Sequence, residues 1–420
     1  MVGVADNMMV GQVGYIPLAG ASLGNAIFFF VMVFGLGMSF AITPLVGFAH
    51  GQGNNKECGQ VLRHGLILNT LIAVLLLILL FIATNYLHLM GQEDAVVEQA
   101  KPYLLVISFS IIPFLVFQSF RQYSEGLSMT KVPMVVSVSM NVLNIVLNYL
   151  LIYGKFGFPE LGLLGAGIAT LIARTIMALV MAIYVLSNQR FKPFLDGMGL
   201  KNLDMKVIRD LLRIGVPGGL QFIFEVGAFS MAAIMMGWIG AAALAAHQIA
   251  INLASITYMT VAGLGAAAAI RVGNQLGRKD YPTMKKAAMT LIAMGVGLMV
   301  IFASIFVVAK DYLPLLYNNE LEVVAIASSM LIFAALFQIS DGVQVVALGA
   351  LRGMKDVKIP TLITFIAYWL VSLPLGYFLS FYLDYGPNGI WFALFLGLTI
   401  SAVWVMIRFV RLANKKIAAG

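Results

Sequence analysis

Three carboxylates stand inside long apolar stretches of the 420-residue sequence: Asp6 in V-A-D-N-M-M, Glu225 in F-I-F-E-V-G-A-F and Asp341 in F-Q-I-S-D-G-V-Q. If those stretches cross a bilayer, each acid costs ~2.5–3.5 kcal/mol to place at mid-depth, so together they set on the order of 8–10 kcal/mol against insertion unless paired. Groups that expensive are functional by default. A carboxyl held out of water can take up and release a proton near neutral pH. It can also hold a desolvated Na⁺ where neutral oxygens complete the coordination, or offset the charge of an organic cation. Neutral oxygens stand in suitable pattern: Asn144 and Asn148 are four apart and share a helix face, and Thr170 lies in the next apolar segment. Their other use is interhelical hydrogen bonding, common for polar residues in membrane bundles. Arg174 sits within an apolar segment and offers one acid a structural partner, but a single arginine cannot satisfy three.

Aromatic residues accompany the acids. Phe222 and Phe224 stand just before Glu225, and Phe337 one turn before Asp341. A cation held by the acid gains from a ring face; for most of the 28 Phe, plain packing is the simpler use. The 24 Met suit an adaptable pocket.

The elements that must position these residues follow from composition. Of all residues 61% are hydrophobic and 10% charged, whereas soluble domains carry roughly 25% charged residues. This excludes a soluble protein and predicts an all-α polytopic membrane protein of about 12 transmembrane helices. The segments fall near 1–14, 21–48, 66–86, 102–126, 132–153, 163–186, 211–238, 241–270, 287–309, 323–351, 360–383 and 390–410. The net charge of +8 does not signal nucleic acid, because the basic residues follow topology. All 26 Lys and Arg except Lys101, Lys155, Lys310 and Arg174 fall at alternate connections, while Glu93, Asp94, Glu98, Glu160, Asp311, Glu320, Glu322 and Asp384 occupy the other side. That is the positive-inside pattern, and it predicts a multi-pass protein with a cytoplasmic C-terminus.

Cys58 is the only cysteine, which excludes an intrachain disulfide and a cysteine metal cluster. His50, His64, His88 and His247 form no i, i+4 pair. No cofactor is expected, and no metal beyond Na⁺ at the acids. The N-terminus lacks the charged region of a signal peptide.

The chain is internally duplicated. V-G-F-A-H-G at 46–51 echoes V-G-N-Q-L-G at 272–277, offset by 226; G-L-S-M-T-K-V-P at 126–133 echoes G-M-K-D-V-K-I-P at 353–360, offset by 227. Asn148-Tyr149 against Gly376-Tyr377 gives 228. Six segments per half is an even number, so the halves insert in the same orientation. The expected organisation is an N-terminal helical lobe over 1–186, a polar cytoplasmic linker over 187–210 and a C-terminal helical lobe over 211–420. The second half opens near Met205, well before the position matching Asp6, where the first half has five residues. Fourteen residues rising ~1.5 Å each reach about 21 Å, short of the ~30 Å hydrocarbon core. The first helix therefore reads as truncated.

Gly35, Gly37, Gly263 and Gly265 are expected to let helices approach closely, and Pro374 to kink the eleventh segment. The run G-L-L-G-A-G at 162–167 follows no soluble strand and carries no nucleotide-binding signal.

Several motifs together resemble the multidrug and toxic compound extrusion (MATE) family. They are A-I-R-V-G-N-Q-L-G at 269–277, F-E-V at 224–226, E-G-L-S-M-T-K-V-P at 125–133, H-Q-I-A-I-N at 247–252, Q-I-S-D at 338–341 and L-R-G-M-K-D at 351–356. A-Y-W-L-V-S-L-P-L-G-Y at 367–377 points to the bacterial NorM-type branch. The resemblance covers the whole chain. It implies a V-shaped antiporter of the bacterial inner membrane, a monomer, that exports small cationic amphipathic compounds in exchange for H⁺ or Na⁺ by alternating access. Asp6 then matches the cation acid of the N-lobe, with Asn144, Asn148 and Thr170 as neighbours, and Glu225 and Asp341 match the acids of the C-lobe. Phe222, Phe224, Phe337, Gln338, His247 and Gln248 become candidates for the substrate cavity. Phe337 stands where some relatives carry tyrosine, so a hydroxyl ligand is lost there. Two alternatives have distinct requirements. A lipid-linked oligosaccharide flippase of the same superfamily needs Arg and Lys lining its cavity, and Arg174 alone reads as mid-membrane. An integral membrane enzyme needs clustered His or paired Asp at the surface, and Glu93-Asp94 reads as a solvated loop.

Overall fold

The structure, a computed structural model, describes residue 6 and residues 9–91, 93–199 and 203–419. Among the described residues, eleven helices are long and apolar enough to cross a membrane. They are α1 (Tyr15–Gly51), α2 (Asn55–Asn85), α3 (Asp94–Gly126), α4 (Lys131–Tyr153), α5 (Gly162–Ser187), α6 (Met205–Ile239), α7 (Ala241–Gly277), α8 (Tyr281–Val308), α9 (Leu321–Gly353), α10 (Lys358–Tyr382) and α11 (Gly386–Ala418). Helix is what apolar stretches must form in lipid, because every backbone N–H and C=O has to be satisfied within the segment. Each of the eleven overlies one of the expected segments from 21–48 onward. Most run past the apolar stretch at one end or both. Half of the expected opening helix over 1–14, residues 1–5, 7 and 8, lies outside the described residues, as does Lys201 of the linker.

The duplication is written into the backbone as well as the side chains. Gly14 (φ 155°, ψ 168°) precedes α1 and Gly240 (φ 156°, ψ 168°) precedes α7. Gly53 and Lys279, again 226 apart, both take left-handed φ values of 71° and 61°. Each is followed by a capping side chain. Asn54 Oδ1 accepts the Glu57 N–H at 3.1 Å to start α2, and Asp280 Oδ1 accepts the Thr283 N–H at 3.1 Å to start α8. Ser128 (φ 63°) and Lys355 (φ 62°) repeat the match two connections later.

The chain divides into two compact units, Met1–Val46 with Gly53–Gly219, and Gly47–Gln52 with Leu220–Gly420. The division falls inside α6 rather than in the polar stretch over 187–210. That stretch is folded and docked on α2 and α3. The Tyr123 hydroxyl donates to Phe194 O at 3.0 Å, the Asp204 N–H donates to His64 Nε2 at 2.9 Å, and Arg63 Nη1 donates to Gly199 O. A Cβ on Gly59 would lie 2.8 Å from Gly197 N, so the absence of a side chain permits this docking.

In the first unit, Tyr103, Leu104 and Leu115 of α3 bury against Phe28 and Met32 of α1 and Leu76 and Leu80 of α2. On α2, Leu71, Leu75, Ile78, Leu79 and Ile82 remain exposed, an apolar face suited to lipid. In the second unit the core is built around Trp391 of α11, Tyr368 of α10 and small residues of α7 and α9. Small residues set the α7–α9 distance: a Cβ on Gly265 would meet Val345 O at 2.9 Å. Gly35 and Gly37 are likewise crowded, against Leu115 and Gly219, but Gly263 faces open space and does not mark a close approach. Pro374 lies between two wide-turn π segments, Ile366–Ser372 and Phe378–Tyr382, that interrupt α10. The irregular turns fit a residue that has no N–H to give the ladder.

Candidate functional site

In the first unit a row of polar side chains runs between the start of the chain, α4 and α5. Asn144 and Asn148 lie one turn apart on α4, so both project to the same side. Asn148 Nδ2 donates to Asp6 Oδ1 at 2.5 Å and lies 3.4 Å from Asn144 Oδ1. Asn144 Nδ2 donates to Thr170 Oγ1 of α5 at 3.3 Å. All four residues are buried. Among the described residues Asn148 Oδ1 has no hydrogen-bond partner, an acceptor beside a carboxylate that a cation would satisfy. The Tyr153 hydroxyl, one turn further along α4, donates to Met9 O at 2.8 Å and ties down the segment that carries Asp6.

Arg174 is one turn beyond Thr170 on α5. Its Nη1 donates to Ser110 Oγ at 2.8 Å, at the bend of α3, and its guanidinium carbon lies 5.0 Å from the ring centroids of both Phe28 and Phe114. Among the described residues no ion pair within 4.0 Å joins it to Asp6. Its long-range field reaches Asp6, but its contacts hold helices.

In the second unit Glu225 of α6 and Asp341 of α9 lie within electrostatic reach of one another. Glu225 Oε1 accepts from Gln344 Nε2 at 3.1 Å and from Gln221 Nε2 at 3.4 Å. Gln344 lies three residues after Asp341, and Gln221 four before Glu225, so each amide shares a helix face with its acid. The Tyr368 hydroxyl lies 3.4 Å from Gln344 Nε2. The charge of Arg352, one helix end away on α9, acts on Glu225, and the Tyr258 hydroxyl lies in the field of both acids. Gln221, Gln344, Tyr258, Tyr368 and Arg352 were not singled out from the sequence. The signal for the two glutamines was their i−4 and i+3 spacing from an acid.

The remaining candidates lie in several places. Phe337 is stacked on Trp391 with ring centroids 5.7 Å apart. His247 meets the same indole edge-on at 5.7 Å, and its Nδ1 is buried without a partner. Gln338 is wholly buried and exchanges hydrogen bonds with Thr257 Oγ1 at 3.0 and 2.8 Å. Gln248, next to His247, is exposed. Phe222 carries the Arg352 guanidinium 5.9 Å from its ring centroid. Phe224 packs on Phe365 at 4.9 Å while its carbonyl accepts from Trp369 Nε1 at 3.0 Å. Phe337 and His247 thus pack on Trp391 and Gln338 joins α9 to α7 through Thr257, whereas Phe222 and Phe224 stand on α6 just before Glu225. Among the described residues no group of three or more His, Cys, Asp or Glu side chains converges.

The chemistry common to both units is a carboxylate supplied by amide donors, buried at Asp6 and half-buried at Glu225. Asn148 serves Asp6, and Gln221 with Gln344 serves Glu225. Amide donors orient a carboxylate without cancelling its charge, which leaves it able to receive a cation.

Comparison with known proteins places this geometry. The family model described as MatE matches residues 1–150 and 217–378. The multidrug resistance protein NorM of Photobacterium profundum is 35% identical over 97% of the chain and 90% of its own length. The multidrug resistance protein MdtK of Yersinia pseudotuberculosis serotype O:1b is 37% identical over the same shares. Among solved structures, the eukaryotic MATE transporter AtDTX14 superposes with a TM-score of 0.87 at 23% identity, covering 99% of this chain and 93% of that one. A MATE protein in its straight conformation gives 0.89 at 19% identity, covering 98% and 92%.

Proposed function

Since this chain belongs to the MatE family, we propose that it is a secondary active efflux antiporter that exports small cationic, amphipathic compounds. The outward step is driven by H⁺ or Na⁺ moving in. The observation that carries this reading is the supply of a carboxylate by amide donors in each unit, at buried Asp6 and at half-buried Glu225, with Asp341 in electrostatic reach of Glu225. A carboxylate so held competes for one positive charge at a time. The coupling ion and the organic cation exclude one another there, and that exclusion is what exchange requires.

Asp6, Glu225 and Asp341 are the ion-coupling acids in this reading. Asn144, Asn148 and Thr170 hold Asp6 in place and supply neutral oxygens to a Na⁺, the unpartnered Asn148 Oδ1 foremost. Gln221 and Gln344 do the same for Glu225. Binding of the ion from outside releases the organic cation, and release of the ion inside resets the carrier by alternating access. Phe222 and Phe224 offer ring faces to the organic cation. The protein works as a monomer in the bacterial inner membrane and is not an enzyme. The C-terminus is cytoplasmic, as the Arg and Lys at the ends of α9 and α11 favour.

Dye efflux from proteoliposomes, driven separately by a pH gradient and a Na⁺ gradient, tests the proposal. Glu225→Gln and Asp341→Asn are expected to abolish efflux under the productive gradient with insertion and yield unchanged, and Asp6→Asn to do the same. Wild-type efflux from both C-terminal variants sinks the assignment of the acids, and no response to either gradient sinks the antiport reading.

A further inference from the structure

The second unit carries a cavity that takes no part in the site above. It lies where the start of α10 meets the end of α11, has a volume of about 340 Å³, and is lined by Ile363, Trp404, Ile407, Arg408 and Arg411. We propose that this cavity binds an anionic phospholipid, with the headgroup phosphate between Arg408 and Arg411 and the glycerol and upper acyl chain over Trp404, Ile407 and Ile363.

Helix spacing builds the site. Residues 404, 407, 408 and 411 follow the i, i+3, i+4, i+7 pattern and so form one stripe along α11. The stripe passes from apolar to cationic within about two turns, and that polarity change is what a lipid shows between acyl chain and phosphate. Trp404 stands at the change, as tryptophans do at the membrane boundary, and is 43% exposed. The surrounding surface continues the gradient. Ile359 and Leu362 of α10 and Val403 of α11 are exposed on the apolar side. On the polar side come Lys355, Lys358, Lys415 and Lys416, with Asp356 the only acid in 351–360 or 403–420.

That one acid does not discharge the site. Arg408 gives Nε to Asp356 Oδ2 at 2.9 Å, which fixes its guanidinium in place. Arg411, one turn on, has the same sign, and like charges at this spacing repel. A phosphate between them accepts from both and removes the repulsion, and guanidinium forks suit phosphate geometry. A free phosphate would satisfy the arginines but leave the Trp404, Ile407 and Ile363 wall uncovered. A zwitterionic lipid would cover the wall but bring no net negative charge. An anionic lipid does both, in keeping with the capacity of basic pockets between transmembrane helices to hold such headgroups.

Native mass spectrometry of the intact protein in detergent tests this, with phosphatidylglycerol, phosphatidylcholine of the same chains, or inorganic phosphate added. The wild type is expected to retain phosphatidylglycerol in preference to phosphatidylcholine, and inorganic phosphate not to displace it. Arg411→Gln should lower retention about fivefold, the scale of one basic residue near an anionic surface. Lys415→Gln, basic and nearby but outside the cavity, should retain lipid as the wild type does. Both positions are exposed, and an unchanged thermal midpoint verifies that each variant is folded; Ile407→Asp, which places a negative charge in the wall, should repel the lipid as a second variant. The proposal fails if Arg411→Gln and Ile407→Asp both keep wild-type retention, if Lys415→Gln loses as much as Arg411→Gln, or if inorganic phosphate displaces the lipid.

Discussion

The last turns of α1 and α7 touch in a reciprocal manner, and this contact allows a quantitative test. A Cβ added at Gly51 falls against the carbonyl of Asn274, and one added at Gly277 falls against the carbonyl of Phe48, in both cases inside the 3.0 Å that real Cβ atoms essentially never cross. A comfortable non-bonded separation is ~3.5–4.0 Å, so either alanine forces the helix ends apart by more than ~0.5 Å. Neither carbonyl is the far end of a flexible side chain, and the strain has to be taken up by backbone. Overpacking of this kind costs ~1–3 kcal/mol, which at ~1.4 kcal/mol per decade lowers the folded-to-unfolded ratio about 5- to 150-fold. Gly263→Ala and Gly297→Ala are the controls, because a Cβ there meets nothing within 4 Å. We expect Gly51→Ala and Gly277→Ala to lower the thermal midpoint of the detergent-purified protein, read by tryptophan fluorescence, while the controls stay at or above wild type. The double variant should cost less than the sum, because the gap opened by the first Cβ accommodates the second. Equal midpoints for Gly277→Ala and Gly263→Ala would refute the reasoning, and strict additivity would refute the shared contact.

Two further outcomes follow from the polar row and the aromatic cluster. Asn148→Leu removes the 2.5 Å bond to Asp6; hydrogen bonds to charged groups are worth ~1.5–3 kcal/mol. We expect the ion concentration for half-maximal efflux to move about tenfold or more, with Asn144→Leu, one bond further from the acid, moving it less; equal effects would argue that the row acts only as packing. Phe337→Ala empties the space stacked on Trp391 and should cost ~3–5 kcal/mol of stability. A variant that instead keeps its thermal midpoint and loses only substrate affinity would place Phe337 in the substrate path.

The helices were legible in the sequence because the bilayer imposes one rule on every residue of a span, and the acids were legible because their cost stands out against that rule. Asn148, the amide partner of Asp6, was legible too, but the amide partners of Glu225 were not. Gln221 and Gln344 are neutral, cost less to bury, and reveal their use only when α6 and α9 come together. Gly263 and Gly265 show the limit of composition: two residues apart on a helix is about 200°, so one meets α9 and the other meets nothing. The polar stretch over 187–210 suggested an exposed tether, but polarity does not reveal that His64 and Tyr123 supply partners to its backbone. Phe337 stands out by its place one turn before Asp341 and His247 by its place in H-Q-I-A-I-N, and the indole they share, Trp391, lies far along the chain.

Among the described residues Asp6 accepts from the amide nitrogen of Asn148, which also donates to Asn144, and Asn144 in turn donates to Thr170. An amide N–H can donate, but it cannot accept a proton on one side and pass another on, as a hydroxyl, an imidazole or a water chain does. Between Asp6 and the Thr170 hydroxyl the two asparagines therefore act as an insulator in the electrical sense. If Asp6 carries the coupling proton, as proposed, these amides give that proton no relay through α4 to α5.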